Sequence, residues 1–174
     1  VFPMRFSPLC LALPVCLITG AAFANPATPE GAAALTTTFQ TYLGTVAGVV
    51  TVQPEGEVYG VKLNFAPLLV KLPAEIEASV TPIEFKLTDN GDGTWGFSED
   101  QSISATFKAP GEAEMSLYIA HMASTGTFDS ALGVFSASSG DASDISLTET
   151  TRDGSGGMTT TTYQVASLHS ESSA

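Results

Sequence analysis

Ile83-Glu84-Phe85-Lys86-Leu87-Thr88-Asp89-Asn90-Gly91-Asp92-Gly93-Thr94-Trp95-Gly96-Phe97 decides the fold of this 174-residue chain. Ile83, Phe85 and Leu87 alternate with Glu84 and Lys86, the period of a strand with one buried face. Asn90-Gly91 and Asp92-Gly93 both favour the positive φ of a tight hairpin turn. Trp95 and Phe97 then return on the next strand, expected opposite Phe85 and Leu87 as aromatic cross-strand pairs.

The alternation continues toward the C-terminus. Ile103, Ala105 and Phe107 alternate with Ser102, Ser104, Thr106 and Lys108. Pro110-Gly111 fits the centre of a type II turn, and Ala113, Met115, Leu117 and Ile119 carry the pattern back. Residues 128–135 read as a strand or a short helix. Ile145 and Leu147 suggest another strand, residues 153–157 a glycine-rich turn, and the threonine-rich 158–168 a β-prone segment.

Toward the N-terminus, Tyr59, Val61, Leu63 and Phe65 form a half-buried strand, preceded by Val50 and Val52 and by a turn at Pro54-Glu55-Gly56-Glu57. Pro67 and Pro73 bracket a short apolar plug or single turn. Ile76, Ala78 and Val80 precede Ile83 with opposite parity, which predicts a bulge or edge kink at Pro82. Before these strands the period is helical. Thr28-Pro29-Glu30 supplies a capping hydroxyl, a first-turn proline and an acid. Leu35, Phe39, Tyr42, Leu43 and Val46 follow on one face of a helix over about 29–46. Such a helix should lie across one face of the sheet.

The first 24 residues read as a cleaved secretory signal. Met4-Arg5 gives a positive start, residues 9–22 are apolar, and Ala22-Phe23-Ala24 is a small-residue cleavage site before Asn25. The apolar run falls short of the ~20 residues of a spanning helix and is broken by Pro14. Val15 before Cys16 disfavours lipoprotein processing. Cys10 and Cys16 both lie in the leader, so residues 25–174 carry no thiol and exclude disulfides, thiolate metal sites and cysteine nucleophiles. The location expected is periplasmic or secreted, with one β-rich domain over 25–174 that is truncated at its C-terminus. No transmembrane segment is expected once the signal is removed. The formal charge of the whole chain is −12, and without Arg5 the exported residues are more negative still. That repels phosphate backbones and anionic lipid headgroups, which argues against nucleic-acid binding.

Few residues invite chemistry. With Thr88 as loop position 1, Asn90, Asp92 and Glu99 fall at calcium-loop positions. The first ligand is wrong, however, and strand periodicity on both sides contradicts flanking helices, so the weak calcium site is rejected. His121 and His169 lack a nucleophile elbow, and two histidines without mature cysteine do not suggest zinc. His121 follows Ile119 by two and should share its face. Glu99 and Asp100, as strand neighbours, point to opposite faces, and Glu112 and Glu114 read as a solvated face; neither is a glycosidase pair. No catalytic, metal or cofactor set emerges.

The capped helix, Gly48-Val49-Val50-Thr51-Val52, residues 87–95 and Gly126-Thr127-Phe128-Asp129-Ser130-Ala131-Leu132-Gly133 together resemble secreted β-rich proteins of alphaproteobacteria of the Rhodobacter type, grouped as a domain of unknown function. The resemblance covers the chain from about residue 29 and implies a longer protein. It implies no catalytic residues. The expected class is α+β, mainly antiparallel β, with an N-terminal amphipathic helix packed on a meandering sheet or half-barrel. The expected function is a non-enzymatic envelope scaffold or binding module for an apolar ligand such as lipid, with Tyr59, Phe85, Phe107 and Leu117 as its lining. The expected partner is therefore an apolar small molecule or an envelope protein. The alternative is a hydrolase whose catalytic residues lie mostly in a missing C-terminal region. An outer-membrane barrel is a third reading, disfavoured because the strands read as short and turn-rich against the roughly 9–11 residues a barrel strand needs.

Overall fold

A computed structural model describes residues 25–129, 131–132 and 134–173. The expected signal over residues 1–24, with both cysteines, lies outside the described residues. The fold is α+β and mainly antiparallel β. It runs α1 (Pro29–Leu43), β1 (Val50–Glu55), β2 (Val58–Leu63), α2 (Ala66–Leu69), β3 (Glu77–Val80), β4 (Ile83–Asp89), β5 (Thr94–Ala109), β6 (Ala113–Asp129), β7 (Val134–Arg152) and β8 (Met158–Ser173). All the strands join one open sheet in the order β1-β2-β4-β5-β6-β7-β8, with β3 also on β5. Among the described residues no helix is long and apolar enough to cross a membrane.

α1 starts where the sequence places it. Thr28 accepts a hydrogen bond from the Gly31 amide, and Pro29 occupies the first turn. The helix stops at Leu43 instead of reaching 46. Gly44 at φ 84° ends it, and its amide bonds to the Gln40 carbonyl. Tyr42 is 83% exposed, so it does not belong to the packed face. That face is Ala32, Leu35, Phe39 and Leu43, a narrower stripe than the sequence suggests. Gly31 has no side chain where the Tyr59 phenol passes, which lets α1 lie directly on β2. The Tyr59 hydroxyl accepts from the Thr28 amide at 3.2 Å.

The β4–β5 turn forms at residues 89–93, but its register differs from expectation by one step. Leu87 faces Phe97, and Trp95 faces Asp89. Phe85 meets Phe97 diagonally, with ring centroids 5.3 Å apart, while Trp95 packs on Tyr59 at 6.0 Å. The turn closes through its own side chains. Asp89 accepts from the Gly91 amide and Asp92 from Thr94, a geometry that shortens the loop by one pair. Pro54 lies inside β1, opposite Tyr59. Proline fits there because β1 is an edge strand and its missing donor faces away from the ladder. Pro82 marks the kink that separates β3 from β4, and both strands then pair with β5.

β5 to β8 are longer than the sequence suggests, at 16 to 19 residues each. Phe128 and Asp129 end β6, and Val134 and Phe135 begin β7. Strand length therefore does not speak against a barrel; the described sheet is open, with β1 and β8 at its edges. What hides the length is a dislocation. Ile103 pairs with Ile119 but Gln101 with Met122, so β6 carries an extra residue at 120–121. Neighbouring β7 holds Asp144 at φ 50°, between its pairs Ser143↔Ser167 and Ile145↔Val165. The inward side chains change parity there. Ile119 is followed by Met122, Ile145 is preceded by Ala142, and Val165 is followed by Leu168.

A candidate ligand face on the open half of the sheet

Register assigns every strand residue to one of two faces. The face under α1 carries Val52, Val61 and Phe85, then Leu87 and Phe97, and continues across β5 to β8. One row there is Val80, Ala105, Leu117, Leu147 and Tyr163; the next is Ile103, Ile119, Ile145 and Val165. A third is Ala78, Phe107, Met115, Glu149 and Thr161.

α1 covers only the β1 end of this face. Phe39 packs edge-on against Phe85 at 5.9 Å, and a line of rings runs on through Phe97 to Phe135 and Phe128. The buried described residues are Ala32, Val49, Val50, Tyr59 and Val61, all at this covered end. Beyond it the apolar rows lie half-exposed. Tyr163 is 55% and Leu168 59% accessible, with Met115 and Val165 also open. Of the four expected lining residues, Tyr59 and Phe85 sit beneath α1. Phe107 and Leu117 belong to the open rows. The structure puts all four on one face.

A polar island interrupts the apolar face. Glu99 follows Phe97 on β5, and its carboxylate accepts from the Ser124 hydroxyl at 2.5 Å and from the Gln101 amide at 3.2 Å. Gln101 in turn accepts from the Glu84 amide, filling the gap where β4 parts from β5. A recess of about 230 Å³ adjoins Glu99, lined by Met122, Ser124, Gly140, Leu168 and Ser170. Glycine at 140 keeps it open, since a Cβ there would press on Ser124 and Ser170. The sequence offers Glu99 as a calcium-loop ligand and as the neighbour of Asp100, not as the centre of a polar island. It lies well along β5, while Asn90 and Asp92 stay in the turn, where Asn90 donates to Thr94 and Asp92 accepts from it. Hydrogen bonds from Thr94 hold the Asp92 carboxyl below its ordinary pKa. Among the described residues no cluster of three or more His, Cys, Asp or Glu is placed to hold a metal ion.

The opposite face carries the charge pairs. Lys62 bonds Glu84 at 2.7 Å, His121 lies 3.4 Å from Asp100, and His169 bonds Asp141 at 2.7 Å and Glu171 at 3.3 Å. His121 is therefore not on the face of Ile119. The extra residue at 120–121 turns it over, toward Asp100. The hydrogen bond to Asp141, then that to Glu171, raises the His169 pKa. Each imidazole has a carboxylate partner, and both dyads are exposed. Glu112 approaches Arg152, while Glu114 stands opposite Lys108 and Thr150. The signal for the parity change was present in the sequence: the same three-residue step between apolar positions recurs at 119/122, 142/145 and 165/168. No known protein family, curated protein or solved structure matches this chain.

Proposed function

We propose that the chain is a non-enzymatic periplasmic binding module that holds an apolar ligand, such as a lipid chain, against the open half of its α1-side face. One observation carries this reading: the apolar rows built on Ile103, Ala105 and Phe107 continue across β6, β7 and β8, where neither described helix packs on the sheet. Contiguous exposed apolar surface of this kind marks a binding site. Its value depends on covering water-exposed area, at about 25 cal/mol per Å². Phe107 and Leu117 then form the contact, while Tyr59 and Phe85 anchor the covered end. The leader-like residues 1–24 support export, and the acidic composition supports solubility outside the cell.

The test is lipid extraction and mass spectrometry on the protein purified from the periplasm. Lipid retained by the native chain and lost on Leu117→Asp supports the reading. A native chain that carries no lipid, and that binds no added dodecyl-chain compound, removes it. The N-terminus of that same sample should be Asn25.

A further inference from the structure

The sheet is charged on one side in a way that bears on its ligand. Lys62, Lys86, Lys108 and Arg152 all fall on the face away from α1. Lys62 is opposite Thr51 and Glu84, Lys86 opposite Gly60 and Ser98, Lys108 opposite Glu77 and Glu114, and Arg152 opposite Met158. The α1-side face of the strands has no lysine or arginine among the described residues, yet it holds the carboxylates of Asp89, Glu99 and Glu149. Asp89 is engaged by the Gly91 amide and the Asn25 side chain. Glu149 sits at the far apolar end, between Met115 and Thr161.

Glu99 is the one that faces the open rows from the polar island. Its described partners are a hydroxyl and an amide, and no lysine or arginine among the described residues is within ion-pair distance of it. A carboxylate has about four acceptor positions, so two bonds leave capacity for a further donor. From Glu99 to the row of Ala105 and Leu117 is six residues along β5, about 20 Å of strand. A charged acceptor at one end of an apolar strip, with the recess at Gly140 beside it, is complementary to an amphiphile.

We propose that the face selects an amphiphile with a cationic amine or ammonium head, seated at Glu99 with its apolar chain along the rows of Ile103 and Ala105. This deepens the apolar-ligand reading and rests on it. Ser124 and Gln101 are positioning residues: their bonds fix the carboxylate toward the recess. Anionic amphiphiles are disfavoured by Glu99 and by the lack of any described lysine or arginine among the strand residues of that face.

Calorimetric titration of the purified native chain with dodecylamine, dodecanol and dodecanoate, below their aggregation limits, separates the possibilities. Dodecylamine should bind about tenfold more tightly than dodecanol, the scale of one charge-assisted hydrogen bond, and dodecanoate more weakly than either. Glu99→Gln should bring dodecylamine and dodecanol together. Glu114→Gln removes the same charge from the opposite face and should leave the preference intact, which separates a local contact from the attraction of an acidic protein for any cation. Equal binding of the three compounds, or a preference untouched by Glu99→Gln or lost equally in Glu114→Gln, overturns the head-group assignment while leaving the apolar face standing. Binding of none of them overturns the underlying reading.

Discussion

The two ends of the sheet solve the same problem differently. At the β1 end the strands are six or seven residues long, a helix lies over them, and Pro54 and the α1 contact shield the edge. At the β8 end the strands are 16 to 19 residues long, one face of apolar rows is bare, and every residue of β8 is exposed. Residues 158–168 contain neither a charge nor a proline, the usual means of blunting an edge. The first end buries its apolar residues under the helix, whereas the second leaves Met115, Tyr163, Val165 and Leu168 exposed, which is why the ligand is proposed there.

The largest expected effect tests that division directly. Val61 is 2% exposed beneath α1. An aspartate there is a buried, unpaired carboxylate, expected to cost about 3 kcal/mol or more, a large fraction of the roughly 5–15 kcal/mol that holds a domain folded. Leu117→Asp removes only the contacts of a half-exposed side chain with Ala105 and Leu147, about 1–2 kcal/mol. Denaturant unfolding of both variants should show a large loss for the first and a small one for the second. Equal losses would mean that the open half is as much a core as the covered half.

A smaller effect sharpens the role of the helix. At Gly31 any Cβ collides with the Tyr59 phenol, so Gly31→Val must either lift α1 or displace Tyr59. Overpacking of this kind costs about 1–3 kcal/mol. In a Tyr59→Phe background the hydroxyl is gone and the penalty should shrink, a non-additivity that a double-mutant cycle reads out. Additive losses would show that the two do not touch and that α1 is held elsewhere, by Phe39 on Phe85.

Local chemistry made the β4–β5 and β5–β6 turns legible in the sequence. Asn-Gly, Asp-Gly and Pro-Gly each require a particular backbone, and Gly91 at φ 75° and Gly111 at φ 76° adopt it. The capped start of α1 was legible for the same reason. Strand length was not, because alternation is read by parity and the dislocation through β6, β7 and β8 resets parity in mid-strand. Each long strand therefore reads as two short ones. The same reset hid the placement of His121, and it separated Ile119 from Met122, which share a face. The set of Tyr59, Phe85, Phe107 and Leu117 was recognisable as one face, since all four precede the extra residue at 120–121. Which portion of that face the helix covers was not, because a helix's apolar stripe tells that it packs, not how far across an eight-stranded sheet it reaches. The polar island at Glu99 was not legible, since its partner Ser124 is brought to it by register.

The smallest effect concerns how the open end is pinned. His169 on β8 bonds Asp141 on β7, and Glu171 approaches its other nitrogen. These carboxylates raise the His169 pKa, the Asp141 bond foremost. A raised folded value means that the pairing contributes fully below the ordinary imidazole pKa, about 6.5. The contribution is lost as pH rises through the folded value. The side chains are exposed, so salt screens the pair and its influence on global stability is slight. The sensitive readout is therefore the imidazole itself. Its NMR titration midpoint should lie above the ordinary value and fall back toward it in Asp141→Asn, with added salt moving it the same way. A midpoint at or below the ordinary value would mean that β8 is not tied to β7 at this end by charge. The backbone ladder and the neutral hydroxyl bonds of Ser138 with Ser172, Thr148 with Thr162 and Thr150 with Thr160 would then hold the exposed edge.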